Sequence, residues 1–244
     1  MQFWLDVWSK CKENFENQGL ELRIIENHEL AMRELERSDK PYITPHLSID
    51  HNDLTSVNAF WGFILNEGAD EKSDRISGVL GARMDQIPKG EIINFWHHHY
   101  YRLRDTDYGG VIDKNHVPPQ LRDIHGRVAY FGDFFLLPKK QIDQTNFVMA
   151  ALAYSEIKWS PDVTYAFIRE GHAKLGQTYR LGFQKHCRAV HRWIEPPKER
   201  KNGDPMIYTM SEDTAYAAEV FLQEHRQRQD DEQNVISINS RKPS

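Results

Sequence analysis

The stretch "RVAYFGDFFLLP" (127–138) constrains this chain of 244 residues more than any other. Successive side chains of a strand point to opposite faces. Here Val128, Ala129, Tyr130, Phe131, Phe134, Phe135, Leu136 and Leu137 leave both faces apolar. A strand of that kind is buried on both sides, so it predicts a central strand covered by other layers.

The flanking sequence supplies those layers. Phe3, Trp4, Val7, Trp8 and Cys11 recur at helical spacing. "LELRIIE" (20–26) reads as a strand, and Asn27 as the cap of a helix over "HELAMRELERS". "YITPHLS" and "SVNAFWGFIL" carry strand-forming residues, and the latter is expected to form a hairpin with "ISGVLGARMDQIP" (76–88). "EIINFWHHHYYRLR" (91–104) reads as a helix, and 105–126 as a long polar loop of the kind that forms lids or binding segments. Val148, Ala151, Leu152 and Ser155 mark one helix face. "VTYAFIRE", "CRAVHRWIEP" and "MIYTMS" read as strands, with the short helix "HAKLGQTYRLGF" (172–183) after the first. A last helix starts near Ser211 and buries Ala218, Phe221 and Leu222. The reading is a single mixed α/β domain over 1–229, with a polar tail at 230–244 expected to lack structure.

Composition excludes several classes. A net charge of -5 provides no electrostatic footprint for nucleic acid, and the basic run "PPKERK" (196–201) reads as a solvated turn. Cys11 and Cys187 are far apart and fit a reducing compartment, so the chain is expected to be cytoplasmic. No signal peptide or membrane span is expected. The helical His97, His98 and His99 point about 100° apart and do not converge on one ion, so no metal is expected. His172, His186 and His191 remain candidate bases, with one or both of the last two facing solvent.

Strand, helix, strand, a short helix ending in Leu-Gly-Phe, then two strands: this order resembles the C-terminal half of the GNAT superfamily of N-acetyltransferases. The residues that carry the likeness are "FFLLP" (134–138), "YAFIRE" (165–170) and "AKLGQTYRLGF" (173–183). It covers 127–210 well and the N-terminal half by element order. The resemblance implies an α/β fold with a mixed sheet, the GNAT-like acyl-CoA acyltransferase fold, whose central strand splays from its neighbour. Acetyl-CoA or another acyl thioester would enter that slot, with no metal. Its pantetheine amides would pair with the strand edge at Phe135, Leu136 and Leu137. Gly182 would turn the chain and Phe183 would fill the core beneath.

The sequence departs from the family at two places. The pyrophosphate loop normally carries glycines at a helix entry. Here it reads "KKQIDQTNF" (139–147), which leaves Gln141, Gln144, Thr145 and Asn146 as binding candidates, with Lys139 and Lys140 as charge. Equally, the same residues are an ordinary helix start capped by Asp143 or Thr145. The family's usual acid position holds Thr178, which makes Tyr179 the displaced candidate acid. Asp133 shares an apolar face with Ala129, Phe131, Phe135 and Leu137 on alternation. It is either a base with a raised pKa in a cleft or a carboxylate with a buried partner.

These readings make the chain an acyltransferase acting on a small-molecule or peptide amine, with no nucleic-acid or membrane partner and with a homodimer admitted. A donor on acyl carrier protein and a catalytically silent binding or regulatory module are the alternatives.

Overall fold

The computed structural model describes all residues except 39, 41, 67, 69–74, 139–140, 199 and 240–244; the side chains of 177 and 228–239 also lie outside the description. The expected cationic residues Lys139 and Lys140 are therefore outside the described residues. The amphipathic start forms α1 (Gln2–Glu16), which buries Val7, Cys11 and Phe15. β1 (Glu21–Ile25) follows, and the Asn27 side chain accepts the Leu30 amide to cap α2 (His28–Leu35). "YITPHLS" is not strand material. It is a strap that ends in a 3₁₀ turn at Pro45–Leu47, where Pro45, having no N–H for a ladder, starts the turn.

β2 (Ala59–Leu65) and β3 (Ile76–Ile87) form the expected antiparallel pair. α3 (Ile92–Tyr101) comes next. The segment 105–126 is more structured than a polar loop. It contains β4 (Val111–Ile112) and a 3₁₀ turn at Pro119–Asp123. The central strand is β5 (Gly126–Leu136), followed by α4 (Gln144–Trp159) and β6 (Val163–Phe167). The short helix divides into α5 (Glu170–Lys174) and α6 (Gln177–Arg180), because Gly176 between them takes a positive φ of 73°. "CRAVHRWIEP" also divides, at Ala189 with φ 48°, into β7 (Lys185–Cys187) and β8 (Trp193–Glu195). β8 pairs with β4 in a separate ribbon. β9 (Met206–Met210) leads into α7 (Ser211–Asn239), which buries Ala218 and Phe221 and keeps a helical backbone into the expected tail.

Among the described residues the main sheet has seven strands in the order β1-β2-β3-β5-β6-β9-β7. The pair β5–β6 is parallel and its neighbours run antiparallel. Alternation sorts the strand residues into two cores. Trp61, Phe63, Val79, Val128, Tyr130 and Tyr165 face α2, α3 and the strap. Phe60, Ile64, Leu80, Ala82, Ala129 and Phe131 face α1 and α4. Each fully buried large side chain contributes about 1.5–3 kcal/mol of transfer free energy, so both faces stabilise the sheet. The strap lies close to β3 at Gly81, where an added Cβ would stand 2.6 Å from Leu47 Cδ1.

One irregularity positions the site. Gly81 opposes Gly132 and Val79 opposes Phe135, so Leu80 faces two residues of β5, Asp133 and Phe134. This is a β-bulge, and Asp133 takes a positive φ of 55°, as the first residue does in the G1 kind of bulge. The extra residue reverses the alternation beyond it. Phe135 therefore packs with the core of Tyr130, and Leu136 with that of Phe131. Asp133 does not share the Ala129–Phe131 face that simple alternation assigned to it; it meets the strap on the other side.

Candidate functional site

β5 and β6 run together only from Val128–Val163 to Phe131–Ala166. β5 then continues to Leu136, still paired with β3 on its other edge, while β6 ends at Phe167. The two strands part where the bulge turns β5 away. The gap is a cavity of about 440 Å³. Its walls come from both cores: Tyr130, Phe135 and Phe167 on one side of the sheet, Phe131, Val148, Leu181 and Phe183 on the other. The slot thus passes through the sheet. A strand edge without a partner strand presents backbone N–H and C=O groups to whatever occupies it.

On the α4 side the opening ends at a helix N-terminus. Asp143 is the N-cap, and its side chain accepts the Asn146 amide at 3.1 Å. Thr145 is not the cap; its hydroxyl donates to the Arg180 carbonyl at 2.7 Å and ties α4 to α6. Asn146 turns inward, fully buried, with its Nδ2 on the Cys11 carbonyl and its Oδ1 accepting from Asn14. Its side chain therefore does not reach a ligand, and the expectation that it fills a phosphate site is corrected. Gln144 lines both the slot and a shallow open depression beside it, formed with Leu136, Leu137 and Gln141. Phe135 and Leu136 line the slot. Leu137 stands beyond it, with its N–H donating to the Ser77 carbonyl at 2.9 Å.

Gly182, with φ 75°, reverses the chain after α6, and the buried Phe183 meets Phe131 edge-on at 6.5 Å. Thr178 is buried, whereas Tyr179 is 64% exposed and does not line the slot. A helix rotates about 100° per residue, so the inward position of Thr178 turns its neighbour out. The structure does not bring Tyr179 to the other candidates.

On the strap side, Asp133 is enclosed. Lys40 Nζ lies 2.5 Å from its Oδ1, the Thr44 amide is 2.9 Å from the same atom, and the Thr44 hydroxyl is 3.0 Å from Oδ2. Lys40 also bonds the Tyr42 carbonyl. The carboxylate is thus a fully satisfied anchor for the strap, with its side chain inaccessible to solvent. Beside it, burial, opposed by Arg200 and joined by the Asp133 charge, pushes the Tyr130 phenol up to about 12. Tyr42, Thr44 and Arg200 complete this wall, and His172 lines the slot from α5.

The sequence pattern did not mark Lys40, Thr44 or Arg200. Arg200 belongs to the "PPKERK" run that reads as a solvated turn, yet it enters the slot and stands 5.4 Å over the Phe167 ring. Of the other histidines, His186 is exposed and His191 is buried. The run in α3 diverges: His97 Nδ1 is 3.1 Å from the Ile112 carbonyl, while His99 stacks on His46 at 3.9 Å. Among the described residues no helix is long and apolar enough to cross a membrane.

No protein-family model and no curated protein sequence matches the chain. Solved structures align with it over most of its length. Arabidopsis thaliana NAA60 in complex with acetyl-CoA aligns at TM-score 0.44 and 9% identity, over 78% of this chain and 98% of that one. The spermidine/spermine N-acetyltransferase SpeG from Vibrio cholerae aligns at 0.41 and 15%, over 80% and 94%. FeeM, an N-acyl amino acid synthase from uncultured soil microbes, aligns at 0.41 and 11%, over 80% and 92%. The chain's own topology, an antiparallel run entering a splayed parallel pair that is followed by the Gly182–Phe183 turn, is the arrangement that the resemblance to the GNAT superfamily implies.

Proposed function

We propose that this chain is an acyltransferase that moves an acyl group from a thioester, acetyl-CoA first among the candidates, to an amine. The observation that carries this reading is the slot through the sheet between β5 and β6. A donor entering from the α4 side can place its pantetheine amides along the free edge of β5 at Phe135 and Leu136. The amides of Gln144 and Thr145 at the start of α4 have no partner among the described residues and suit a pyrophosphate. The acceptor enters from the strap side. The two reactants then meet inside the sheet, and positioning supplies much of the rate.

In the reaction the amine nitrogen attacks the thioester carbonyl carbon. The C–N bond forms, the C–S bond breaks, and the thiolate leaves with the electron pair. A thiolate is a competent leaving group near neutral pH, and the proton that the nitrogen sheds as the amide forms passes through water to it. The ammonium must lose a proton before attack, and His172 is the imidazole that lines the slot and can take it. Asp133, held by Lys40 and Thr44, acts as a positioning residue that shapes the acceptor side.

The test is a thermal-shift titration with acetyl-CoA and with free CoA. Saturable stabilisation by either supports the reading through ligand linkage. No response to either ligand removes CoA, and a response to acyl carrier protein alone transfers the reading to a carrier-bound donor.

A further inference from the structure

Two arginines approach the strap-side core, and they differ in one respect. Arg83 is saturated: its Nε and Nη2 hold the Asp85 carboxylate at 2.8 and 2.5 Å, and its Nη1 donates to the His46 carbonyl and to Asn52. Arg200 has no ion pair and no hydrogen bond to its guanidinium among the described residues. Asp204 and the phenols of Tyr100, Tyr130 and Tyr42 act on it only through space. Yet its backbone is fixed. The Arg200 amide donates to the Pro197 carbonyl, Lys198 pairs with Asp107, and Asn202 accepts the Trp193 amide. The guanidinium lies over Phe167 and lines both the slot and a small adjoining cavity with Tyr42, Thr44 and Tyr108.

A cation held in a cavity without a counter-ion bears a desolvation cost that an anionic ligand relieves. The planar fork of arginine matches a carboxylate through two parallel hydrogen bonds. Position decides which reactant supplies that anion. Phe167, Tyr100 and His46 around Arg200 belong to the core facing α3 and the strap, whereas the α4 N-terminus belongs to the opposite face. The donor's phosphates would lie on the α4 side, so the anion at Arg200 comes from the acceptor.

We propose that Arg200 is the recognition site for a carboxylate on the acceptor, which is therefore an amino-acid-like amine with an apolar or aromatic body. Tyr42, Tyr130, Phe135 and Phe167 supply the apolar walls for that body. The proposal rests on reading the slot as an acyl-transfer site, and its test is separable from that reading.

The experiment measures binding without donor. N-acetylglycine, N-acetyl-L-leucine and N-acetyl-L-phenylalanine are titrated against their neutral primary amides, with wild type, Arg200→Gln and Arg200→Lys. At least one acid should bind wild type about ten- to a hundredfold more tightly than its amide. Arg200→Gln should erase that ratio with its circular dichroism unchanged. Arg200→Lys keeps the charge without the fork and should lower the ratio several-fold; it also serves if the glutamine variant does not fold. Equal affinity of every acid and its amide for wild type, or a ratio unchanged in either variant, overturns the proposal. A parallel acetyl-CoA titration separates the two claims. If the acid preference depends on Arg200 but no donor binds, the acyl-transfer reading falls and the carboxylate site stands.

Discussion

Acidification should unfold this protein through three histidines that the fold keeps neutral. His46, His99 and His191 are buried in the strap-side core, and the Nε2 atom of each has no hydrogen-bond partner among the described residues. Burial, first, and the neighbouring positive charges hold all three below the usual 6.5, with His99 at about 3. Arg83 bears on His46 and His99, and Arg200 on His46 and His191. For a base with a lowered folded pKa, stability is complete above the unfolded value and is lost as pH falls towards the folded one. Between about pH 7.5 and 5.5 the unfolded chain takes up protons that the fold refuses. That amounts to about 1.4 kcal/mol per histidine, or about 4 kcal/mol for the three. His191 sits among Trp96, Phe167 and Trp193 with ring centroids 4.8–4.9 Å away, so His191→Phe preserves the packing and removes one titration. Urea unfolding followed by circular dichroism at both pH values should show a loss about 1.4 kcal/mol smaller in the variant. Carboxylates titrate equally in both proteins and cancel. An identical loss in the two would refute the claim that His191 is neutral in the folded state.

Four further outcomes follow from particular contacts. Lys40→Met breaks a buried ion pair and leaves Asp133 without its cation, so it should cost about 3 kcal/mol in chemical denaturation. Asp133→Asn should raise the acceptor KM while retaining turnover; abolished kcat with a normal KM would reinstate Asp133 as a base. Asp143→Asn keeps the cap on Asn146 but removes a negative charge from the α4 N-terminus, so acetyl-CoA affinity should rise a few-fold at low salt by calorimetry. Burial raises the Glu156 carboxyl to about 7, against a partial opposing effect of Arg127. A carboxyl with a raised folded pKa loses stability as pH climbs through that value, so Glu156→Gln should stabilise by about 1–2 kcal/mol at pH 8 and by nothing at pH 4, read by thermal melts.

The elements that could be read in the sequence are those whose pattern is local. The aromatic spacing of α1, the Asn27 cap and the doubly apolar β5 each carry their own signal within a few residues. The strap could not be read, because Tyr42, Ile43 and Leu47 have strand-like chemistry while Pro45 and the anchor on Asp133 set the path. The site was half legible. Gly182 and Phe183 marked the turn and core contact beneath the slot, and "FFLLP" marked its edge. Asp133 was singled out as a polar residue in an apolar run, but its face depended on a bulge that alternation cannot foresee. Its partners, Lys40 and Thr44, lie about ninety residues away in sequence. Arg200 was hidden for the opposite reason: it sits in a run of charges in which Lys198 and Lys201 are exposed to water.

The bulge at Asp133 divides β5 into two stretches that answer to different requirements. Before it, each side chain is fixed by neighbours on both edges, and substitutions at Val128 or Tyr130 would register as changes in stability. After it, one edge is unclaimed and every side chain has exchanged faces, so Phe135 and Leu136 can vary with what the slot must admit. Removing Phe134 would restore an unbroken ladder with Phe135 still opposite Val79 and Leu136 still on the α4 side, and would turn Asp133 to the α4 face, away from Lys40. One inserted residue therefore separates the part of the strand that holds the molecule together from the part that is free to choose a ligand.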